Sequence, residues 1–141
     1  ISKNEAVNFS EIPVLIEGNS EYTQNKVNEL AKSISQNVQM IISSQRKSLH
    51  LSAVIANNFS NHIFTLLKTY CDDNNVDFNL LKPLIDKTIR SSNSQTGPAK
   101  RGDEKIMNTH LEMLQSNPEL KDLYEHISNN ILKYYGHTTK L

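Results

Sequence analysis

Residues 46–70, RKSLHLSAVIANNFSNHIFTLLKTY, form the longest helical pattern in the chain and hold neither Gly nor Pro. Apolar side chains cover most of the circumference of such a helix, and a helix apolar nearly all round is expected to be buried. Yet Arg46, His50, Asn57, Asn58, Asn61 and His62 interrupt it. Buried amides and imidazoles need hydrogen-bond partners, or they cost about 1–3 kcal/mol apiece. Two readings follow: a polar network built into a core, or a helix that lines a site. Projected at about 100° per residue, His50, Asn57 and Asn61 fall within roughly 40° of one line. Arg46 flanks that line on one side, and Val54, Asn58 and His62 on the other. Leu49, Ile55, Phe59, Ile63, Leu66 and Leu67 take the opposite arc. The polar groups thus form one ordered stripe, suited either to a packed interface or to a substrate.

The elements around this helix are set by local signals. Val7, Phe9, Ile12, Val14, Leu15 and Ile16 cluster near Pro13 and are closed by Gly18-Asn19, which predicts a short buried strand in PVLIEG. A lone strand cannot pair its backbone groups, and the other candidate strand is Val38 to Ile42. The first strand is therefore expected to be the last of a sheet in a preceding domain, and the start at Ile1 rather than Met reads the same way. Ser20 predicts an N-cap for a helix carrying Val27, Leu30, Ala31 and Ile34, ending near Gln36-Asn37. Asp77 or Asn79 caps a third helix, which Pro83 starts late or kinks. Residues 91–102 read as a loop, Asp103 as the cap of a fourth helix, and Asn117-Pro118 as the start of a fifth that stops at Gly136. The predicted class is mainly α: a bundle of about five helices around one long central helix, with residues 1–19 as the tail of a missing α/β domain and 20–141 as the helical domain.

Lys+Arg and Asp+Glu balance at 15 each. Nucleic acid and anionic membranes call for a basic excess, so neither is expected as a partner. No apolar run approaches the length that spans a bilayer. Cys71 is the single cysteine, which points to a reducing, cytoplasmic setting. No His, Cys or carboxylate pair has zinc-site spacing, so no metal is expected. No Ser sits in a nucleophile elbow. Glycines at 18, 97, 102 and 136 cannot make a G-x-G-x-x-G phosphate cradle. His110 and His126 read as partly buried structural histidines. The loop Gln95-Thr96-Gly97-Pro98-Ala99-Lys100-Arg101-Gly102-Asp103 suits a sharp turn at Gly97, and its end leads into a helix N-terminus where backbone N–H groups can take an anion.

Taken together, EIPVLIEG, QRKSLHLSAVIANNFSNHIF, LKPLIDKT and QTGPAKRGD followed by HLEML resemble one family, in the right order over almost the whole chain. It is the C-terminal helical domain of unknown function that follows a Rossmann-like domain in bacterial proteins provisionally assigned as NADP-dependent oxidoreductases. The resemblance implies a fold like the C-terminal domain of 6-phosphogluconate dehydrogenase, a helical bundle that often forms homodimers. It also implies NADP bound mainly by the missing N-terminal Rossmann-like domain, and a small-molecule substrate.

In related reductases the first long helix faces the nicotinamide and commonly offers a Lys, with an Asn one turn later. Here Asn58 and His62 lie on that line, but one turn before Asn58 stands Val54. The resemblance therefore does not carry over the hydroxyacid-dehydrogenase mechanism. Imidazole titrates near neutral pH, so His62 or His50 would supply the proton, with Asn58 or Asn61 orienting the substrate oxygen. Gln95, Thr96, Arg101 and Asp103 would close over the cleft and bind substrate, Arg101 meeting an acidic group or pairing Asp103. The alternative from another class is a dimerisation or regulatory module with no chemistry, the stripe being its interface.

Overall fold

The computed structural model describes residues 8–91, 95–138 and 141; Val7 of the first apolar cluster, and residues 92–94 of the loop, lie outside them. The described elements run β1 (Val14–Ile16), α1 (Glu21–Lys32), β2 (Val38–Met40), α2 (Ser43–Ala53), a π-helical segment (Val54–Phe59), α3 (Ser60–Asp73), a 3-10 turn (Phe78–Leu81), α4 (Lys82–Arg90), α5 (Pro98–Arg101), α6 (Glu104–Met113) and α7 (Pro118–Tyr134). The chain is mainly helical, as its periodicity predicts. Its contacts divide it into two compact units, residues 1–58 and 59–141.

In the first unit, β1 and β2 pair in parallel, Val14 opposite Val38 and Ile16 opposite Met40. The strand predicted at PVLIEG thus pairs with the other candidate strand, predicted at Val38 to Ile42 and formed over Val38–Met40. Helix α1 between them is the crossover that parallel pairing requires. Its start is fixed by a reciprocal box: Thr23 N donates to Ser20 Oγ at 3.2 Å, and Ser20 N donates to Thr23 Oγ1 at 3.0 Å. Its end comes earlier than expected, at Lys32, because Ser33 and Ser35 take the backbone elsewhere. Ser33 Oγ donates to Leu30 O at 2.6 Å. Ser35, only 3% exposed, donates to Ile12 O at 2.9 Å and accepts from Asn37 N at 3.1 Å, tying the helix exit to the strand entry.

The second unit is built on a small core of Ala99, Met107 and Leu132, flanked by Ile131 and Leu141. Met107 is fully buried, which is worth about 1.5–3 kcal/mol for a side chain of this size. Asp77 caps the 3-10 turn through Asn79 N at 2.9 Å, and Pro83 falls in the first turn of α4, so the helix starts late rather than kinking. Asp103 accepts from Ile106 N at 3.2 Å, as a cap should. The predicted loop contains a one-turn helix, α5, bounded by Gly97 at φ 101° and Gly102 at φ 67°.

Two expectations about the long helix fail. It is not buried: α2 and the π segment bury no residue, and α3 buries only Cys71. The apolar side chains that suggested a core include Leu49, Leu51, Ile55 and Phe59, each about half exposed or more. Nor is it α-helical throughout. A π turn carries extra residues per turn, so the projection at a constant angle does not hold across Val54–Phe59.

Candidate functional site

Glu17, at the end of β1, gathers the start of α2. Its carboxylate accepts from Ser43 N at 2.8 Å, from Ser43 Oγ at 2.8 Å and from Arg46 Nη2 at 2.9 Å. The hydroxyl and the backbone amide of Ser43, with Arg46 adding its charge, hold the Glu17 carboxyl below the usual carboxylate range. Arg46 also lines a surface cavity of about 410 Å3 with Ser43, Lys47 and His50. These four recur at helical spacing on one face of α2. His50 therefore sits among cationic side chains, in solvent.

Asn58 stands in the π segment, where Asn57 Nδ2 donates to its Oδ1 at 3.3 Å. Asn61 and His62 open α3, and both are exposed. All four residues expected to be catalytic are thus on the surface. They divide between the two units, His50 and Asn58 in the first, Asn61 and His62 in the second. π turns in α-helices recur at functional sites, and this one falls on the two adjacent asparagines.

In the loop, Gln95 and Thr96 are exposed, and Gln95 Nε2 donates to Thr96 O at 3.0 Å. Arg101 lies 4.0 Å from Asp103, at the limit of an ion pair. The N-terminus of α6 that could take an anion is capped by the Asp103 carboxylate itself. Asp103 thus serves this loop as an ordinary N-cap, its carboxylate accepting from Ile106 N.

Sequence reasoning missed His110, Tyr124 and Ser128. His110 is partly buried, as expected, but it also faces a cavity; His126 is exposed, against expectation, with Nδ1 2.8 Å from Asp122 O. His110 Nδ1 lies 2.9 Å from Tyr124 Oη, ring edge to ring face. Burial pushes the Tyr124 phenol up, against a lowering hydrogen bond with Ser128. The three residues line a cavity of about 310 Å3 that is otherwise mostly apolar, with Ile63 and Leu67 from α3 and Thr96 from the loop. Of the expected site residues, Thr96 alone reaches it. The spacing Leu120, Tyr124, Ile127, Ile131 on α7 was visible in the sequence as one apolar face, and Tyr124 was its polar exception.

Among the described residues, no group of three His, Cys, Asp or Glu side chains could hold a metal ion. No helix there is long and apolar enough to cross a membrane. At Gly18 an added Cβ would meet Gln24 N at 2.7 Å, so the first turn of α1 packs closely on that residue.

A family model described as a domain of unknown function (DUF2520) matches residues 12–131. A Bacteroides fragilis protein of known structure, provisionally named an NADP oxidoreductase, is 39% identical, with a TM-score of 0.82 over 94% of this chain and 53% of that one. A Thermotoga maritima protein is 27% identical, with a TM-score of 0.66 over 90% of this chain and 54% of that one. The chain spans about half the length of both. No curated protein matches it.

Proposed function

The chain belongs to the DUF2520 family, and from that premise we propose that it is the substrate-facing and dimerising C-terminal domain of an NADP-dependent oxidoreductase. The supporting observation is its 39% identity, over nearly its whole length, to part of a protein provisionally named an NADP oxidoreductase. Residues 1–19 would be the tail of the preceding Rossmann-like domain and 20–141 the helical domain. NADP would be held mainly by that preceding half, since the glycines of this sequence form no G-x-G-x-x-G pattern. Alone, the chain catalyses nothing.

The residues in play are His50, Asn58, Asn61 and His62 from the helix and Gln95, Thr96, Arg101 and Asp103 from the loop. All the helix candidates are solvent-facing, as a surface that meets a second domain would be. His62 or His50 gives a proton to the substrate oxygen as hydride arrives, and Asn58 or Asn61 orients that oxygen. Homodimers and a cytoplasmic location complete the reading.

The test is NADPH binding by the full-length protein, followed by a screen of small 2-oxo acids, ketones and imines. Binding with turnover that falls at least tenfold in His62→Ala supports the reading. Turnover unchanged in both His62→Ala and His50→Ala removes the imidazole role. No NADPH binding favours the second reading, a non-catalytic dimerisation module. That alternative draws support from the half-exposed Leu49, Leu51, Ile55 and Phe59 on the same helix.

A further inference from the structure

The cavity between α3, α6 and α7 pairs apolar walls with a polar pole of His110, Tyr124 and Ser128. Its volume is about 310 Å3, and an adjoining cavity of about 260 Å3 shares Leu67, His110, Leu120 and Tyr124. Small-molecule sites run from roughly 300 to 1,000 Å3 and are mostly apolar, with a few polar groups that set orientation. This cavity is at the compact end of that range. Among the described residues, no Lys, Arg, Asp or Glu lines it, so a charged guest would lose its hydration without gaining a counter-charge from them.

The pole has a donor to offer. A phenol has one O–H to give and can accept from others, and a neutral imidazole donates from one nitrogen only. With the proton on Nδ1, His110 donates to the Tyr124 oxygen across their 2.9 Å contact. The phenolic O–H is then available to an acceptor in the cavity. Ser128, 5% exposed, adds its hydroxyl to the same lining. Thr96 places the QTGP loop at the same cavity.

We propose that this cavity binds a compact, uncharged, mostly apolar molecule with a single carbonyl oxygen, which accepts a hydrogen bond from the Tyr124 hydroxyl. The binding stands on the cavity alone. That the guest is the substrate rests on the oxidoreductase reading above; it would then put the substrate oxygen on Tyr124 in place of the helix residues His50, Asn58, Asn61 and His62, none of which lines this cavity, and move the substrate class from 2-oxo acids toward neutral ketones and aldehydes.

The experiment uses the full-length protein with labelled Ile and Leu methyl groups, titrated with acetophenone without cofactor. Saturable shifts at Ile63, Leu67 and Ile131 are expected. Ethylbenzene, which lacks the oxygen, should bind the same methyls, and phenylglyoxylate, the matching 2-oxo acid, should bind at least tenfold more weakly than acetophenone. Tyr124→Phe should weaken acetophenone by about tenfold, the loss of one hydrogen bond, and leave ethylbenzene unchanged, which also shows the variant is folded. Absence of saturable shifts at these methyls overturns the site. So does an equal loss for both ligands, or shifts that follow protein concentration instead of ketone, which would mean that a second copy fills the cavity. A separate arm follows NADPH oxidation with acetophenone. Binding without turnover leaves the site standing and counts against the oxidoreductase reading.

Discussion

Glu17 shows how one carboxylate can join two elements that the sequence keeps 26 residues apart, through its two bonds to Ser43. The Arg46 pair alone would contribute little, because both partners are partly exposed. The Ser43 amide and hydroxyl are the larger cause of the lowered carboxyl. Since the folded value lies below the unfolded one, the contribution is present above pH 4.5 and is lost as pH falls through the folded value. Glu17→Gln should therefore lower stability at neutral pH, and the two proteins should converge in acid. Urea melts from about pH 6 to pH 3 would measure this, and a constant gap across that range would refute it. Gly102 carries a different constraint. Its φ is 67°, and an added Cβ would stand 2.8 Å from His137 Nδ1. His137 cannot simply withdraw, because its Nε2 is 2.9 Å from Lys100 O. Gly102→Ala should cost about 1–3 kcal/mol, read as a lower urea midpoint with an unchanged slope.

At the scale of elements, what could be read in advance was whatever depends on a few neighbouring residues. Ser20, Asp103 and Pro118 mark helix starts because start signals are local chemistry, and these three helices begin where they were expected, while Asp77 caps the 3-10 turn that leads into the late start of α4. Ser20→Ala should destabilise the protein by about 1 kcal/mol, the ordinary worth of such a cap. Loss of amide protection confined to the first turn of α1 would identify the cause, and unchanged exchange at Thr23 would argue against it. What could not be read depends on distant partners or on backbone register. Residues VIANNF contain no Gly, Pro or cap, so nothing in them announces a π segment. Leu49, Ile55 and Phe59 read as core residues because apolar periodicity reports which face is apolar, not what covers it. The polar pole of the cavity was hidden for the same reason. His110 and Tyr124 are 14 positions apart, and only the packing of α6 on α7 brings them together.

For the whole molecule, the exposed large apolar side chains matter most, because contiguous exposed apolar surface marks an interaction site. On α4 and the turn before it, Leu80, Leu84 and Ile89 are each more than 60% exposed. Lys82, Asp86, Lys87 and Arg90 take the other side of that helix, so it is strongly two-faced. Leu81 and Ile85, in the middle of the apolar face, are half-buried, and the exposed Leu84 and Ile89 at its edges are left for a partner to cover. If the partner is a second copy, as the proposed dimer requires, the full-length protein should sediment as a dimer at micromolar concentration. Leu84→Asp with Ile89→Asp should shift it to monomer, because burying two carboxylates in an apolar interface is costly. Neither residue lines the ketone cavity, so acetophenone binding should survive in the monomer. A dimer that persists in the double variant would place the interface elsewhere. A wild type that sediments as a monomer would leave the proposed Rossmann-like domain as the candidate cover for this surface.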